Sequence, residues 1–168
     1  MLQSLSPRIV YFCIALVSAV SIAFAMYLEH QMGLHPCPLC MTQRVFIVLA
    51  GVIALIAALH NPIGLGAKVY GGFCALAAIV GGGVAVRHVW LQHLPPEEVP
   101  ACGPSLEYML ETLPFSETLS IVMMGDGNCA DVVWTFMGLS IPELTLLLFT
   151  AITAACLWQI LRRPAPGA

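Results

Sequence analysis

The chain contains few charged residues. Its 168 residues include six lysines and arginines and nine aspartates and glutamates, whereas 60% of the sequence is hydrophobic and the mean hydropathy is +0.92. Only 9% of the residues are charged, against roughly 25% in an average soluble globular domain. This scarcity of charge excludes an ordinary soluble fold and indicates an integral membrane protein.

Charge is absent altogether from four long stretches, each of which reaches or approaches the length of a helix that crosses ~30 Å of hydrocarbon. The second of these stretches becomes long enough when it is extended back to Thr42, with the Arg44 side chain reaching outward to the headgroups. A signal peptidase site after Ala25 is an alternative for the first stretch, but its apolar run continues to Leu28, beyond a usual signal peptide. We therefore predict an all-α membrane protein, a four-transmembrane-helix bundle that forms one domain over residues 1–168, with spans at about 9–28, 42–59, 69–86 and 144–161.

The few charges are distributed unevenly between the two ends of these spans. All nine acidic residues fall on one side of the membrane, and the other side carries the basic residues Arg8, Lys68, Arg162 and Arg163. The positive-inside rule makes the basic side cytoplasmic, which places both termini there. Only short segments remain on that side, so we expect no nucleic-acid partner. Arg44 and Arg87 break the pattern because they lie at outer helix ends, which makes both candidates for function.

A Cys-x-x-Cys pair immediately precedes the second span, in the sequence Pro36-Cys37-Pro38-Leu39-Cys40-Met41-Thr42-Gln43-Arg44. The two prolines discourage helix before this point, whereas nothing opposes helix from Leu39 onward. Cys40 is therefore expected in or just before the first turn of a helix. The free amide groups and positive dipole end of that turn favour a thiolate, and Arg44 adds a fixed positive charge. We predict a reactive, redox-active pair at Cys37 and Cys40.

Two further cysteines, Cys102 and Cys129, lie in the long external segment 89–142, while the Cys-x-x-Cys pair lies in the short external segment 29–41. Four external cysteines allow three pairings. The pairing 37–40 with 102–129 is the expected resting state, because each pair then lies within one external segment. Cys102 is flanked by prolines and glycine, which predicts an accessible sulfur suited to exchange. Cys13, Cys74 and Cys156 fall inside apolar spans and are expected only to pack there.

The long external segment is also expected to contain short surface helices. Ser105 is a candidate helix cap, and four apolar residues follow it at helical spacing: Leu106, Met109, Leu110 and Leu113. The run 119–124 is apolar as well. Such a segment is predicted to lie along the membrane surface or on the bundle, and not to extend into water.

Two other interpretations of the external cysteines stay open at this point. Zinc also binds paired thiolates at this spacing, so a metal-binding or metal-transfer membrane protein could use His35, Cys37, Cys40, Cys102 and Cys129. The absence of a second Cys-x-x-Cys and of any His-x3-His argues against it. Alternatively, the 102–129 disulfide would be a structural staple, worth roughly 3–4 kcal/mol in the chain-entropy treatment.

The Cys-x-x-Cys segment, together with Arg87-His88-Val89-Trp90-Leu91-Gln92 and Gly127-Asn128-Cys129-Ala130-Asp131, resembles the disulfide bond formation protein B family of the bacterial inner membrane. The resemblance extends over most of the chain. It implies a membrane oxidoreductase that reoxidises a periplasmic DsbA-like dithiol protein and passes the electrons to ubiquinone or menaquinone.

The resemblance also implies a role for individual residues. Cys37 and Cys40 would form the pair next to the quinone, Cys102 and Cys129 the pair next to the donor protein, and Arg44 and His88 would attend the quinone. Enzymes of the vitamin K epoxide reductase type also place a Cys-x-x-Cys in a four-helix bundle. Their pair lies at the end of a late helix, so its early position here favours the first family.

Overall fold

The computed structural model describes residues 6–103 and 106–162. Most of these residues are helical, and the helices are α1 (Pro7–Met32), α2 (Pro38–His60), α3 (Leu65–Gln92), α4 (Leu106–Thr112), α5 (Phe115–Met124), α6 (Gly127–Ala130) and α7 (Ile141–Leu161). One short antiparallel hairpin joins β1 (Thr135–Phe136) to β2 (Leu139–Ser140). Ser105, which was predicted to cap a helix, and Arg163, which was predicted on the cytoplasmic side, lie outside the described residues.

Four of the helices, α1, α2, α3 and α7, are long and apolar enough to cross a membrane. The predicted fold class, an all-α membrane protein built on a four-helix bundle, is confirmed. Each helix extends a few residues beyond its predicted span, because polar residues and local caps continue the helix past the apolar run. Ser6 caps α1 through its hydroxyl, which accepts a hydrogen bond from the Ile9 N–H, and Gly33 ends the same helix in the left-handed conformation at φ 65°.

The third helix, α3, lies at the centre of the bundle, where it packs against α2 and α7. Its glycines and alanines allow close approach, which is the usual basis of helix association in lipid. A Cβ on Gly81 would lie 2.8 Å from the Cβ of Phe46 and would overlap the ring of Phe149. The core between these helices includes Tyr11, Ala54 and Cys74, while apolar side chains such as Leu59 and Phe73 face outward.

Two of the three cysteines of the spanning helices pack inside the bundle. Cys74 and Cys156 are fully buried between helices, as predicted for small apolar residues. The Cys74 thiol donates to the carbonyl oxygen of Ala50, with Sγ and O 3.6 Å apart. Cys13 is instead exposed on the outer surface of α1, so the prediction that it is buried is wrong.

The segment between α3 and α7 contains α4, α5, α6 and the hairpin. In α4, Met109 is buried while Leu110 is exposed, so only part of the predicted apolar face packs against the rest of the protein. The Thr118 hydroxyl donates to the carbonyl oxygen of Met109 over 3.2 Å and so ties α5 to α4. The hairpin turns at Met137 and Gly138, whose positive φ values of 52° and 85° suit a two-residue turn. This hairpin was not predicted.

Candidate functional site

The Cys-x-x-Cys pair forms the first turn of α2. Cys37 is the N-cap residue in an extended conformation, with φ −72° and ψ 165°, and Pro38 occupies the first helical position. The Cys40 N–H donates to the Cys37 sulfur over 3.3 Å. The sulfur of Cys37 therefore performs the task of a capping oxygen, and Cys40 lies in the first turn, as the proline spacing predicted.

A second cysteine from outside α2 approaches Cys37. The sulfurs of Cys37 and Cys129 and a ring nitrogen of His88 all lie within 4.8 Å of one another. All three residues are buried, with exposed fractions of 8%, 0% and 2% for Cys37, Cys129 and His88. We call these residues the Cys37–His88–Cys129 cluster. It brings together one sulfur from each external segment, which disulfide exchange between the two segments requires.

Gln43 fixes the orientation of His88 in this cluster. The side-chain nitrogen of Gln43 lies 2.9 Å from Nδ1 of His88, and the opposite ring nitrogen, Nε2, lies 3.7 Å from the Cys37 sulfur. Gln43 is itself buried, at 3% exposed. The imidazole therefore has a partner on each nitrogen, and its Nε2 is directed at the Cys-x-x-Cys pair.

Cys129 is positioned by the short helix α6. Asp126 caps this helix, since its carboxylate accepts a hydrogen bond from the Cys129 N–H over 3.2 Å. The hydrogen bond between Cys129 and Cys37, together with burial, raises the pKa of the Cys129 thiol above its ordinary value. This environment disfavours the thiolate of Cys129.

Cys102 lies beside α6 at the protein surface. It is exposed, and a Cβ on Gly127 would lie 3.0 Å from its sulfur. The Gly127 N–H donates to the carbonyl oxygen of Ala101 over 3.4 Å. This hydrogen bond joins the start of α6 to the chain beside Cys102. All of the cysteines are thiols in this structure, and the resting pairing 37–40 with 102–129 stays a prediction.

A cavity of ≈ 190 Å³ opens on the other side of the Cys-x-x-Cys pair. Its lining is mainly apolar and includes Phe24, Ile47, Trp134 and Leu148 from α1, α2, the external segment and α7. Cys40, Gln43 and Arg44 supply polar groups. The edge of the Trp134 ring meets Phe24 at a centroid distance of 5.7 Å, so part of the cavity wall is aromatic.

Arg44 is held at this cavity by an ion pair. Its Nη1 donates to the carboxylate of Glu29 over 2.5 Å, and its Nη2 donates to the carbonyl oxygen of Ala25 over 3.4 Å. The side chains of Arg44 and Glu29 are 19% and 28% exposed. The guanidinium is thus fixed in orientation and reaches α1, close to the thiol of Cys40 in the same cavity.

The two residues predicted to attend a quinone are separated in the structure. Arg44 lines the cavity, whereas His88 lies against Cys37 and is not among the residues that line it. Arg87, the other outlying arginine, donates to the carbonyl oxygen of Met124 over 2.9 Å and stacks on Trp90. It fastens the end of α5 to α3 and is not among the residues that line the cavity.

Sequence reasoning did not find Glu29 or Gln43. Glu29 is the first acidic residue of the chain and lies at the outer end of the first span. An ion pair with a basic residue at the same level, such as Arg44, could be expected there. Gln43 is an amide that lies between Thr42 and Arg44 at the start of an apolar run. Both signals are visible in the printed sequence, but neither indicates which partner the side chain contacts.

These features together define a class of protein. A buried group of thiols at one end of a four-helix membrane bundle, one of them at a helix N-terminus, is the arrangement of a membrane thiol–disulfide oxidoreductase. The model of the family described as "Disulfide bond formation protein DsbB" matches residues 7–159.

Relatives of known family cover nearly the whole chain. A disulfide bond formation protein B from Saccharophagus degradans is 52% identical over 90% of this chain and 88% of its own length. Those from Stutzerimonas stutzeri and Hahella chejuensis are 48% and 49% identical over 94% and 95% of this chain, and 97% of each relative is covered. The chain belongs to the disulfide bond formation protein DsbB family, and its role is that of a disulfide oxidoreductase in a membrane.

Proposed function

We propose that the protein reoxidises a periplasmic DsbA-like protein of the thioredoxin fold and passes the electrons to a quinone of the bacterial inner membrane. The observation that carries this proposal is the position of the Cys37 sulfur. It accepts a hydrogen bond from the Cys40 N–H and lies within 4.8 Å of the Cys129 sulfur. A single sulfur thus connects the external dithiol to the pair beside the cavity.

The exchange begins at Cys102, the exposed sulfur. A thiolate of the donor attacks Cys102 of the resting disulfide, so a donor–Cys102 bond forms, the 102–129 bond breaks and Cys129 leaves as a thiolate. Cys129 then attacks Cys37 of the 37–40 disulfide, and Cys40 leaves as a thiolate. The second thiol of the donor attacks the mixed disulfide and releases the oxidised donor. Cys102 finally attacks Cys129, which restores the 102–129 disulfide and leaves Cys37 and Cys40 reduced.

His88 is placed to exchange a proton with the sulfurs during these steps. Its Nε2 lies 3.7 Å from the Cys37 sulfur. The raised pKa of Cys129 means that the thiolate released in the first step tends to take up a proton, which a nearby acceptor must remove before Cys129 attacks Cys37. The predicted role of His88 at the quinone is retained as part of the proposal. Its contact with Cys37 supports an added role in proton transfer.

The cavity beside Cys40 fits the head group of ubiquinone or menaquinone. A planar, apolar ring suits walls such as Phe24, Trp134 and Leu148, and a group that gains negative charge suits the guanidinium of Arg44. A bound quinone supplies an acceptor for two electrons and two protons. Arg44 would orient the ring and stabilise charge, and Cys40 would present its thiolate to it.

The orientation in the membrane follows from the charge distribution. The redox residues lie at the end of the bundle that carries the acidic residues, so we assign them to the periplasm and both termini to the cytoplasm. An oxidising periplasm maintains disulfides, and the inner membrane contains the quinones that this chemistry requires.

Trapping of the mixed disulfide tests the proposed exchange. In Cys129→Ala, Cys102 is a free thiol and has no partner that would displace a bound donor. Oxidised donor should therefore accumulate as a covalent adduct through Cys102 on a non-reducing gel, because the Cys102 thiolate attacks the donor disulfide and the second sulfur of the donor leaves as a thiolate. Cys102→Ala should give no adduct, and Cys13→Ala, which removes an exposed cysteine of a spanning helix, should behave as the unmutated protein. Donor oxidation by Cys129→Ala at the unmutated rate would instead make the 102–129 disulfide a structural staple.

A further inference from the structure

The Cys37–His88–Cys129 cluster combines two thiols and an imidazole in a buried position. Disulfide exchange uses the two sulfurs, and His88 is its proposed proton acceptor. The same three groups are also a set of metal ligands, since Nε2 of His88 lies 3.7 Å from the Cys37 sulfur and both sulfurs and a ring nitrogen of His88 lie within 4.8 Å of one another. Paired thiolates with an imidazole are the ligand set that zinc prefers.

We propose that the fully reduced protein binds one Zn²⁺ through the sulfurs of Cys37 and Cys129 and Nε2 of His88. This site is distinct from the cavity beside Cys40, whose lining includes none of the three ligands. Binding is confined to the reduced state, because a sulfur engaged in a disulfide does not ligate zinc. A bound ion therefore holds Cys37 and Cys129 as thiolates and stops the exchange between them reversibly.

The sulfur–nitrogen distance in the cluster is close to that of a tetrahedral zinc site. With Zn–S of about 2.3 Å and Zn–N of about 2.0–2.1 Å, a sulfur and a nitrogen ligand stand about 3.5 Å apart. The observed separation of the Cys37 sulfur and His88 Nε2 is 3.7 Å. Three protein ligands leave a fourth position for water, as in zinc sites that stay open.

Charge balance also suits the buried position. Two thiols lose one proton each as the ion binds, and Zn²⁺ with two thiolates and a neutral imidazole is electrically neutral, so little charge is buried. The positive charge of Arg44 does not oppose the ion, because it is paired with Glu29. The carboxylate of Asp126, which caps the helix that carries Cys129, adds a favourable negative charge nearby.

Gln43 supplies the outer support that a ligating histidine needs. For Nε2 to bind the ion, Nδ1 must carry the proton and donate it to an acceptor. The Gln43 amide lies 2.9 Å from Nδ1, and a half-turn about its terminal bond presents the carbonyl oxygen in place of the nitrogen. The histidine is then fixed in the tautomer that ligates a metal.

Zinc binding to the purified, fully reduced protein tests the proposal without donor or quinone, so its failure leaves the proposed oxidase function untouched. Competition with a chromophoric chelator should give one Zn²⁺ per chain. Cys129→Ser and His88→Ala should each weaken binding at least about tenfold, since even outer-shell changes cost 10–100-fold. The matched controls are Cys102→Ser and His93→Ala, two exposed residues outside the cluster, which should bind as the unmutated protein.

Two results would overturn the site: unmutated affinity in Cys129→Ser or His88→Ala, or equal binding by the oxidised protein. X-ray absorption at the zinc edge of the unmutated protein gives a measurement that does not depend on how the variants fold. Two sulfur ligands and an imidazole are expected, and a zinc environment without sulfur would refute the proposal.

Discussion

Arg44 is the residue proposed to stabilise negative charge on a quinone in the cavity. Replacing it by alanine removes the fixed cation from the cavity, so kcat/KM for quinone should fall roughly 100-fold, the lower end of what a lost preorganised donor costs. Arg44→Lys should recover only part of this, because a point charge does not reproduce the planar fork that bonds Glu29 and Ala25 together. Steady-state kinetics with a soluble quinone analogue measures both.

Arg87→Ala provides the control for this change. Arg87 is also an outer arginine, but it bonds the Met124 carbonyl and stacks on Trp90 away from the cavity. Its removal should leave KM for quinone unchanged. If Arg44→Ala keeps unmutated quinone kinetics as well, Arg44 acts only as a membrane anchor.

His88 affects a different part of the reaction. We expect His88→Ala to leave the attack of the donor on Cys102 unchanged in single turnover, because Cys102 is at the surface and His88 is buried. The later steps should slow by roughly 100-fold, the lower end for a lost acid–base group. Rapid-quench trapping of the intermediates separates the two stages. A slower first attack in His88→Ala but not in His93→Ala would contradict this assignment.

Helix α3 depends on small residues for its contacts with α2 and α7. Gly81→Ala would place a methyl group against Phe46 and Phe149, and should destabilise the bundle by about 1–3 kcal/mol through overpacking. Gly83→Ala has open space within 4 Å and should be neutral or slightly stabilising, since alanine favours helix. Thermal unfolding in detergent compares the two. Equal loss of stability in both would show that the close approach at Gly81 does not matter.

The spanning helices are the part of the fold that could be predicted from the sequence. The runs without charge predicted all four spanning helices, and Pro36 and Pro38 predicted where α2 begins, because proline acts on its own neighbours. The β1–β2 hairpin was missed, since Met137 carries no signal for the positive φ of 52° that it adopts. The helices continue beyond the predicted membrane spans, as α1 does before it ends at the cap Gly33, and the span boundaries stay a prediction.

The site was readable only in part, for a related reason. Cys37 and Cys40 are adjacent in sequence, so spacing sufficed to predict their shared helix turn. The contact of Cys37 with Cys129 and His88 joins residues far apart in the chain, and no local pattern encodes it. Arg44 and His88 were predicted at the outer ends of the second and third spans, on opposite sides of one site. In the structure Arg44 lines the cavity and His88 contacts Cys37, and their shared role at a quinone stays a prediction.

The few charges of the chain predict its orientation in the membrane. Reporter fusions after Leu59 and after Leu161 should report a cytoplasmic location, and a fusion near Pro100 a periplasmic one. The reason is that most of the basic residues are predicted on one side of the membrane, which the positive-inside rule makes cytoplasmic. Activity of paired periplasmic and cytoplasmic reporters at each point measures this. A cytoplasmic signal at Pro100 would place Cys102 and Cys129 on the reducing side of the membrane and would contradict the proposed exchange.

The central claim is that electrons from a protein dithiol reach a quinone through Cys102, Cys129, Cys37 and Cys40. Its most direct test is quinone reduction by the purified protein, supplied anaerobically with a reduced thioredoxin-fold donor and followed by absorbance. The account predicts one quinone reduced for each donor disulfide formed, and none in Cys40→Ala. Stoichiometric oxidation of the donor over many turnovers without loss of quinone absorbance would contradict it.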